Sequence, residues 1–150
     1  MAINDALTFA PMHKGDLREV LKLEASAFTD PWSKSVFEEF LPGGTGFGIT
    51  VRAAQELIGY ACYFIEPPQV HLTNLAVKPA ARRKSVAKRL LDRILDVALD
   101  KGCGEIALEV RVSNEAAQRL YEREGFTVSG RLARYYDRPV EDAFVMSRRI

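Results

Sequence analysis

The sequence predicts a mixed α/β or α+β fold, a sheet carrying helices on its faces. Three observations predict it. Runs of alternating apolar residues are separated by stretches with helical spacing, in the order strand, two helices, several strands, then helix, strand, helix, strand, strand. The strands in the middle follow one another through short turns, which makes the sheet largely antiparallel. The chain has 150 residues, 47% of them hydrophobic, enough for one domain with a full core and no repeat or linker.

Leu7 to Met12 alternates well enough for an edge strand. Asp16 is a plausible N-cap for a helix whose apolar face is Leu17, Val20, Leu21, Leu23, Ala25 and Phe28. The break Thr29-Asp30-Pro31-Trp32-Ser33 follows. Ser33 can cap a short helix from Lys34 to Leu41, which Pro42-Gly43-Gly44 stops. Phe47 to Ala54 and Leu57 to Ile65 read as a tight hairpin, although Gln55-Glu56 lacks the glycine or asparagine that a two-residue turn prefers. Gly59 inside the second run marks a bulge or a close backbone approach. Pro67-Pro68 is a turn.

Val70 to Lys78 is the next strand, ended by Pro79, which cannot donate to a ladder. A long amphipathic helix runs from near Arg83 to about Lys101 and stops at Gly102-Cys103-Gly104. Glu105 to Val112 is a strand, and Ser113 or Asn114 caps the helix after it, whose apolar face includes Ala116, Ala117, Leu120 and Tyr121. A strand runs from Gly125-Phe126 through Gly130. Tyr135 to Pro139 reads as a loop, and Ala143 to Met146 begins the last strand.

Composition excludes several classes of function. A formal net charge of +1 drives no general binding to nucleic acid or membrane. No apolar run approaches the ~20 residues of a membrane span, and the N-terminus lacks the pattern of a secretory signal, so a cytoplasmic protein is expected. Cys62 and Cys103 read as reduced, buried thiols. With His13 and His71 they build no credible zinc site, so no metal is expected. His71 lies in a strand away from any obvious nucleophile and is assigned a structural duty.

Two places carry candidate chemistry. Arg82, Arg83, Lys84, Lys88 and Arg89 crowd the start of the long helix, where free amides already make a positive pole. Cations there cost helix stability, and an expected anion such as a di- or triphosphate-bearing ligand accounts for them; a solvated basic face is the plain alternative. Glu109 sits between Leu108 and Val110 in a core strand. A carboxylate there needs a solvent-facing side, a partner such as Arg111 or Arg82, or a cleft in which it works as a general base. Tyr121 is either a core tyrosine or a proton donor.

The run Asn74-Leu75-Ala76-Val77, the basic turn, then Leu108-Glu109-Val110-Arg111-Val112-Ser113-Asn114 and Leu120-Tyr121-Glu122-Arg123-Glu124-Gly125-Phe126 resembles the GNAT family of acetyl-CoA-dependent N-acetyltransferases. Within it the chain is most similar to the RimI type, which acetylates the N-terminal alanine of a small-subunit ribosomal protein. Pro31-Trp32-Ser33, Arg134-Tyr135-Tyr136 and Glu141-Asp142-Ala143 extend the resemblance over nearly the whole chain.

The resemblance implies a GNAT fold over residues 1–150, with helices on both faces of a twisted sheet and a splayed central strand pair forming a cleft. It implies acetyl-CoA as cosubstrate and no metal. Backbone at Leu75, Ala76 and Val77 would meet the pantetheine arm and the thioester carbonyl, with N–H groups near Val77 stabilising the oxyanion. The turn Arg83, Lys84, Ser85, Val86, Ala87 and Lys88 would wrap the pyrophosphate, and Asn114 would contact the arm. Glu109 would be the general base and Tyr121 the general acid. Trp32, Tyr135 and Tyr136 would wall a peptide groove. The implied partner is a protein N-terminus, with neither nucleic acid nor membrane, and the implied state a monomer or weak homodimer. Two rivals stand beside this reading: a GNAT enzyme for a small-molecule amine or lysine, and a CoA-binding module without transfer activity. One departure is local. The family pattern Arg/Gln-x-x-Gly-x-Gly/Ala reads Arg82-Arg83-Lys84-Ser85-Val86-Ala87 here, with serine where glycine is usual.

Overall fold

The structure is a computed structural model that describes residues 7–82 and 85–150. Among them are seven strands, β1 (Leu7–Pro11), β2 (Phe47–Ala53), β3 (Glu56–Glu66), β4 (Gln69–Val77), β5 (Glu105–Arg111), β6 (Thr127–Asp137) and β7 (Val140–Arg149). The α-helices are α1 (Leu17–Ala27), α2 (Lys34–Glu38), α3 (Val86–Asp100) and α4 (Glu115–Arg123). Hydrogen bonds link the strands in the order β1-β2-β3-β4-β5-β7-β6. The described pairings are antiparallel except for β4 with β5, which is parallel. This is the mostly antiparallel α+β sheet that the sequence predicts.

Contacts cluster the chain into two units, residues 1–64 with 74–93, and 65–73 with 94–150. In the first, β1, β2 and β3 form a meander. Asp16 does not cap α1 with its side chain: one carboxylate oxygen accepts the His13 N–H and the other pairs with Arg52 on β2 at 2.7 Å. Ser33 likewise precedes α2 without a capping bond, its hydroxyl lying 3.0 Å from that of Ser35. The hairpin turns at Ala54-Gln55, with Ala54 at φ +56, so a non-glycine residue takes the left-handed backbone that the missing glycine would have supplied. Both readings of Gly59 hold. The β2–β3 register shifts between Val51 and Arg52, and a Cβ at Gly59 would lie 3.0 Å from the Ala76 carbonyl oxygen. The unit's core is built from Met12, Leu17, Val20, Leu23, Phe37, Phe40, Leu57, Tyr60, Cys62 and Ala76.

In the second unit β5 pairs with β7 from Glu105↔Arg149 to Arg111↔Ala143. The parallel ladder of β4 with β5 runs from Gln69↔Glu105 to Leu72↔Leu108. Ile106, Leu108, Val110 and Met146 are buried, as are Tyr121 of α4 and the following Phe126. Asn114 caps α4, its side-chain oxygen accepting the Ala117 N–H at 3.1 Å. Gly102, at φ +71, closes α3 in the left-handed conformation expected of a C-cap glycine.

Tyr135 to Asp137 is strand rather than loop. β6 continues past Gly130 to Asp137, and β7 begins at Val140, so Tyr136 faces Glu141 in the ladder. Nearly every β6 residue is exposed, so the strand has no buried face to impose a readable alternation. Its register also shifts between Leu132 and Tyr136, where Arg134 takes φ +52.

Candidate active site

The end of β4 and the start of α3 lie in the first unit. Ala76 and Val77 are buried and Leu75 is half-buried. The Lys78 N–H donates to the Ile58 carbonyl at 2.8 Å, which withdraws that amide from the donors near Val77. The Val77 carbonyl accepts the Arg82 Nε at 3.3 Å. Arg83 and Lys84 lie outside the described residues.

Ser85 is exposed and holds φ +61, the backbone region where glycine costs least. Its carbonyl accepts the Arg89 N–H at 3.0 Å. An α-helix leaves the amides of its first turn without intrahelical partners, which suits an anion at such an end. Two of the cations turn elsewhere. Lys88 reaches the Asp92 carboxylate at 3.2 Å, and the Arg89 guanidinium stacks over the Phe9 ring at 5.1 Å.

The candidate base and acid lie in the second unit. Glu109 is the first β5 residue beyond the described ladder with β4. Its side chain is half-buried, and its Oε1 faces His71 Nε2 at 2.7 Å and accepts the Tyr135 hydroxyl at 3.3 Å. Oε2 has no protein hydrogen-bond partner among the described residues. Neither arginine suggested by the sequence pairs with it. Arg111 instead donates to the carbonyls of Pro139 and Arg138 and to the Glu141 carboxylate.

The parallel register explains the His71 contact. His71 sits opposite Ala107, and Glu109 lies two residues further along the same face of β5. The hydrogen bond to Glu109 is the main reason the His71 imidazole titrates above its ordinary value, with desolvation working against it and Glu66, 3.9 Å from Nδ1, adding a smaller push.

Tyr121 is buried, its ring edge-to-face with Phe126 at 5.7 Å. Burial, then the nearby Tyr136, pushes its phenol far above the ordinary tyrosine value, so it keeps its proton throughout the working range. No buried side-chain oxygen or nitrogen among the described residues lacks a partner. The Tyr121 hydroxyl makes no hydrogen bond within them, so it must reach the surface of the fold.

Tyr135 and Tyr136 pack edge-to-face at 5.0 Å, and Arg111 stacks over Tyr136 at 4.2 Å. Burial, then Tyr135, raises the Tyr136 phenol to about 12. Burial, then Glu109, raises that of Tyr135. Glu109, Tyr135, Tyr136 and Tyr121 thus form one neighbourhood. Asn114 caps α4 in the same unit.

Trp32 belongs to the first unit, where it packs on Phe37 at 5.2 Å and Phe40 at 5.3 Å. Its backbone N–H donates to Glu24 Oε2 at 2.9 Å, and Glu24 Oε1 accepts the Tyr60 hydroxyl and the Asn74 amide. Glu24 is only 1% exposed. The sequence reading passed over Glu24 and gave His71 a structural duty, without its contact to Glu109. Glu24 lies four residues after Val20 and seven after Leu17, on the apolar stripe of α1, and that spacing was the available signal. For His71 the signal was absent, because a parallel register is not written in either strand.

Among the described residues no group of three or more His, Cys, Asp or Glu side chains is placed to hold a metal ion, and no helix is long and apolar enough to cross a membrane.

The sequence pattern of the acetyltransferase (GNAT) family matches residues 17–126. A candidate ribosomal protein bS18-alanine N-acetyltransferase of Bacillus subtilis (strain 168) is 34% identical over 136 residues, which are 90% of either chain. The crystal structure of the ribosomal-protein-S18-alanine N-acetyltransferase from Escherichia coli is similar with a TM-score of 0.85 at 28% identity, covering 96% of this chain and 94% of that one. The structure of the NatC complex bound to Gag peptide and CoA gives a TM-score of 0.83 at 25% identity, covering 97% and 99%.

Proposed function

The chain belongs to the GNAT family of acetyltransferases, and from that premise we propose that its acceptor is the N-terminal α-amino group of a protein, a small-subunit ribosomal protein in the first instance. It is an acetyl-CoA-dependent N-acetyltransferase of the RimI type. The observation that carries the mechanism is the two-sided environment of Glu109. Oε1 is held by His71 and Tyr135, while Oε2 has no protein partner among the described residues.

Acetyl-CoA brings an acetyl thioester to the reaction. The turn Arg83, Lys84, Ser85, Val86, Ala87 and Lys88 would hold its pyrophosphate, as in the family it resembles. Backbone at Leu75, Ala76 and Val77 and the side chain of Asn114 hold its arm. Glu109 removes a proton from the acceptor ammonium. The freed amine forms the C–N bond as the C–S bond breaks; Tyr121 gives its proton to the departing thiolate and regains one as the new amide nitrogen sheds its second proton. An α-amino group has a pKa of ~8 against ~10.4 for a lysine, so a carboxylate base frees it at a smaller cost. Trp32, Tyr135 and Tyr136 wall the groove for the acceptor chain. Holding both reactants together supplies much of the rate.

The family match and the alignment with the Bacillus subtilis relative together cover most of residues 1–150, which supports one catalytic domain. We propose that it acts as a monomer or weak homodimer in the cytoplasm, without binding nucleic acid or membrane. The acceptor is tested by comparing N-terminal peptides of ribosomal proteins with polyamines and lysine substrates. A preference for a polyamine would overturn the proposed acceptor. The base is tested by Glu109→Gln, expected to lower kcat ~100-fold or more, to remove the acidic limb of the pH profile, and to leave acetyl-CoA affinity unchanged. An unaltered profile would remove Glu109 from the role.

A further inference from the structure

His71 has no proton-transfer step of its own in the mechanism above, yet it makes the shortest described contact to Glu109. The 2.7 Å separation of Nε2 from Oε1 requires a proton between them. With Glu109 as carboxylate, that proton sits on Nε2 and His71 donates. The contact fixes which carboxylate oxygen is engaged and leaves Oε2 for the amine. We propose that His71 is the positioning residue for the base: its neutral form orients Glu109 for proton abstraction, and its imidazolium form silences Glu109 by holding it as an ion pair. The inference rests on Glu109 being the base.

The groups facing His71 come from three strands. Glu109 on β5 and Glu66 at the end of β3 bring carboxylates to opposite sides of the ring, Nε2 and Nδ1 respectively. Tyr135 on β6 reaches the same Oε1 that Nε2 contacts. Among the described residues two carboxylates face the ring and favour the imidazolium, the Glu109 hydrogen bond most of all, and His71 titrates above its ordinary value for that reason. The proton balance is simple. Below this titration the second proton rests on Nδ1, the ring is cationic, and Nε2–H and Oε1 form an ion pair that competes with the acceptor ammonium for the carboxylate. Above it Nδ1 is bare, Nε2–H still donates, and the oriented carboxylate meets the acceptor ammonium without a competing cation. The acidic limb of the rate profile then reports His71, acting through Glu109.

The test is kcat against pH for the intact enzyme with saturating acetyl-CoA and its best peptide acceptor. His71→Gln keeps an N–H donor and loses the titration. Its kcat at pH 8 should stay within ~3-fold of wild type while the acidic midpoint moves down by half a pH unit or more. His71→Leu loses the donor as well, and kcat should fall ~10-fold or more with acetyl-CoA KM unchanged. Glu66→Gln, at a position 63% exposed on its side chain, should move the midpoint down by less than His71→Gln does. A wild-type midpoint in His71→Gln, or a wild-type kcat in His71→Leu, overturns the inference. Thermal melting and CoA binding check that each variant is folded. Glu109→Gln separates the two levels: an inactive Glu109→Gln beside wild-type-like His71 variants sinks only the positioning role, whereas an active Glu109→Gln sinks the base itself.

Discussion

At Ser85 the backbone sits at φ +61 with a Cβ attached. A left-handed L-residue costs roughly 1–2 kcal/mol, and glycine avoids it. The family's preference for glycine therefore shows in the geometry even though the residue is serine. Replacing Ser85 by Gly should raise the unfolding free energy by up to ~1 kcal/mol, glycine's greater freedom when unfolded taking back part of the gain. The same change should leave acetyl-CoA affinity equal or improved, as read by urea denaturation and calorimetric titration. A large loss of affinity would instead make the serine hydroxyl a positive contact. Glu109 shows the limit of reading single residues. Its place in a core strand marked it as unusual, but the strand gave arginines as partners where the fold supplies a histidine from the neighbouring parallel strand.

Elements were legible in proportion to the face they bury. α1, α3, α4 and β2 to β5 each carry an apolar stripe or run, and each is found close to its expected span. β6 buries almost nothing, so its second half read as a loop. α4 also begins at a residue proposed to serve both its element and the site. The Asn114 side-chain oxygen is committed to the cap, so a contact with the arm of acetyl-CoA would fall to its amide nitrogen. Asn114→Ala should cost ~1 kcal/mol of stability and weaken acetyl-CoA binding. Asn114→Asp should keep the cap, and hence the melting temperature, while still weakening the cofactor. If both variants bind acetyl-CoA like wild type, Asn114 is a cap alone.

For the whole molecule, the sequence predicted one domain, and contacts cluster into two units between which the chain passes within β3, within β4 and within α3. Neither unit is a continuous stretch of sequence, so no composition shift or linker could have marked a boundary. Within the first unit, long-range organisation gathers on Glu24, which joins Trp32, Tyr60 and Asn74. Glu24→Leu leaves three donors without their acceptor and should destabilise the protein by about 3 kcal/mol or more in chemical denaturation. Tyr60→Phe should cost less in that background than in wild type, with a coupling of ~1 kcal/mol or more between the two changes. Additive effects would mean that the donors find other acceptors.

An acid that answers donors from three distant points of the chain also constrains how this sequence can drift. No single substitution at position 24 meets all three demands, so an apolar residue there becomes tolerable only after Tyr60 and Asn74 have changed. Descendants of this protein should keep or lose Glu24, Tyr60 and Asn74 together, whereas the side chain at position 32 can vary without disturbing the bond, since the donor there is a backbone N–H.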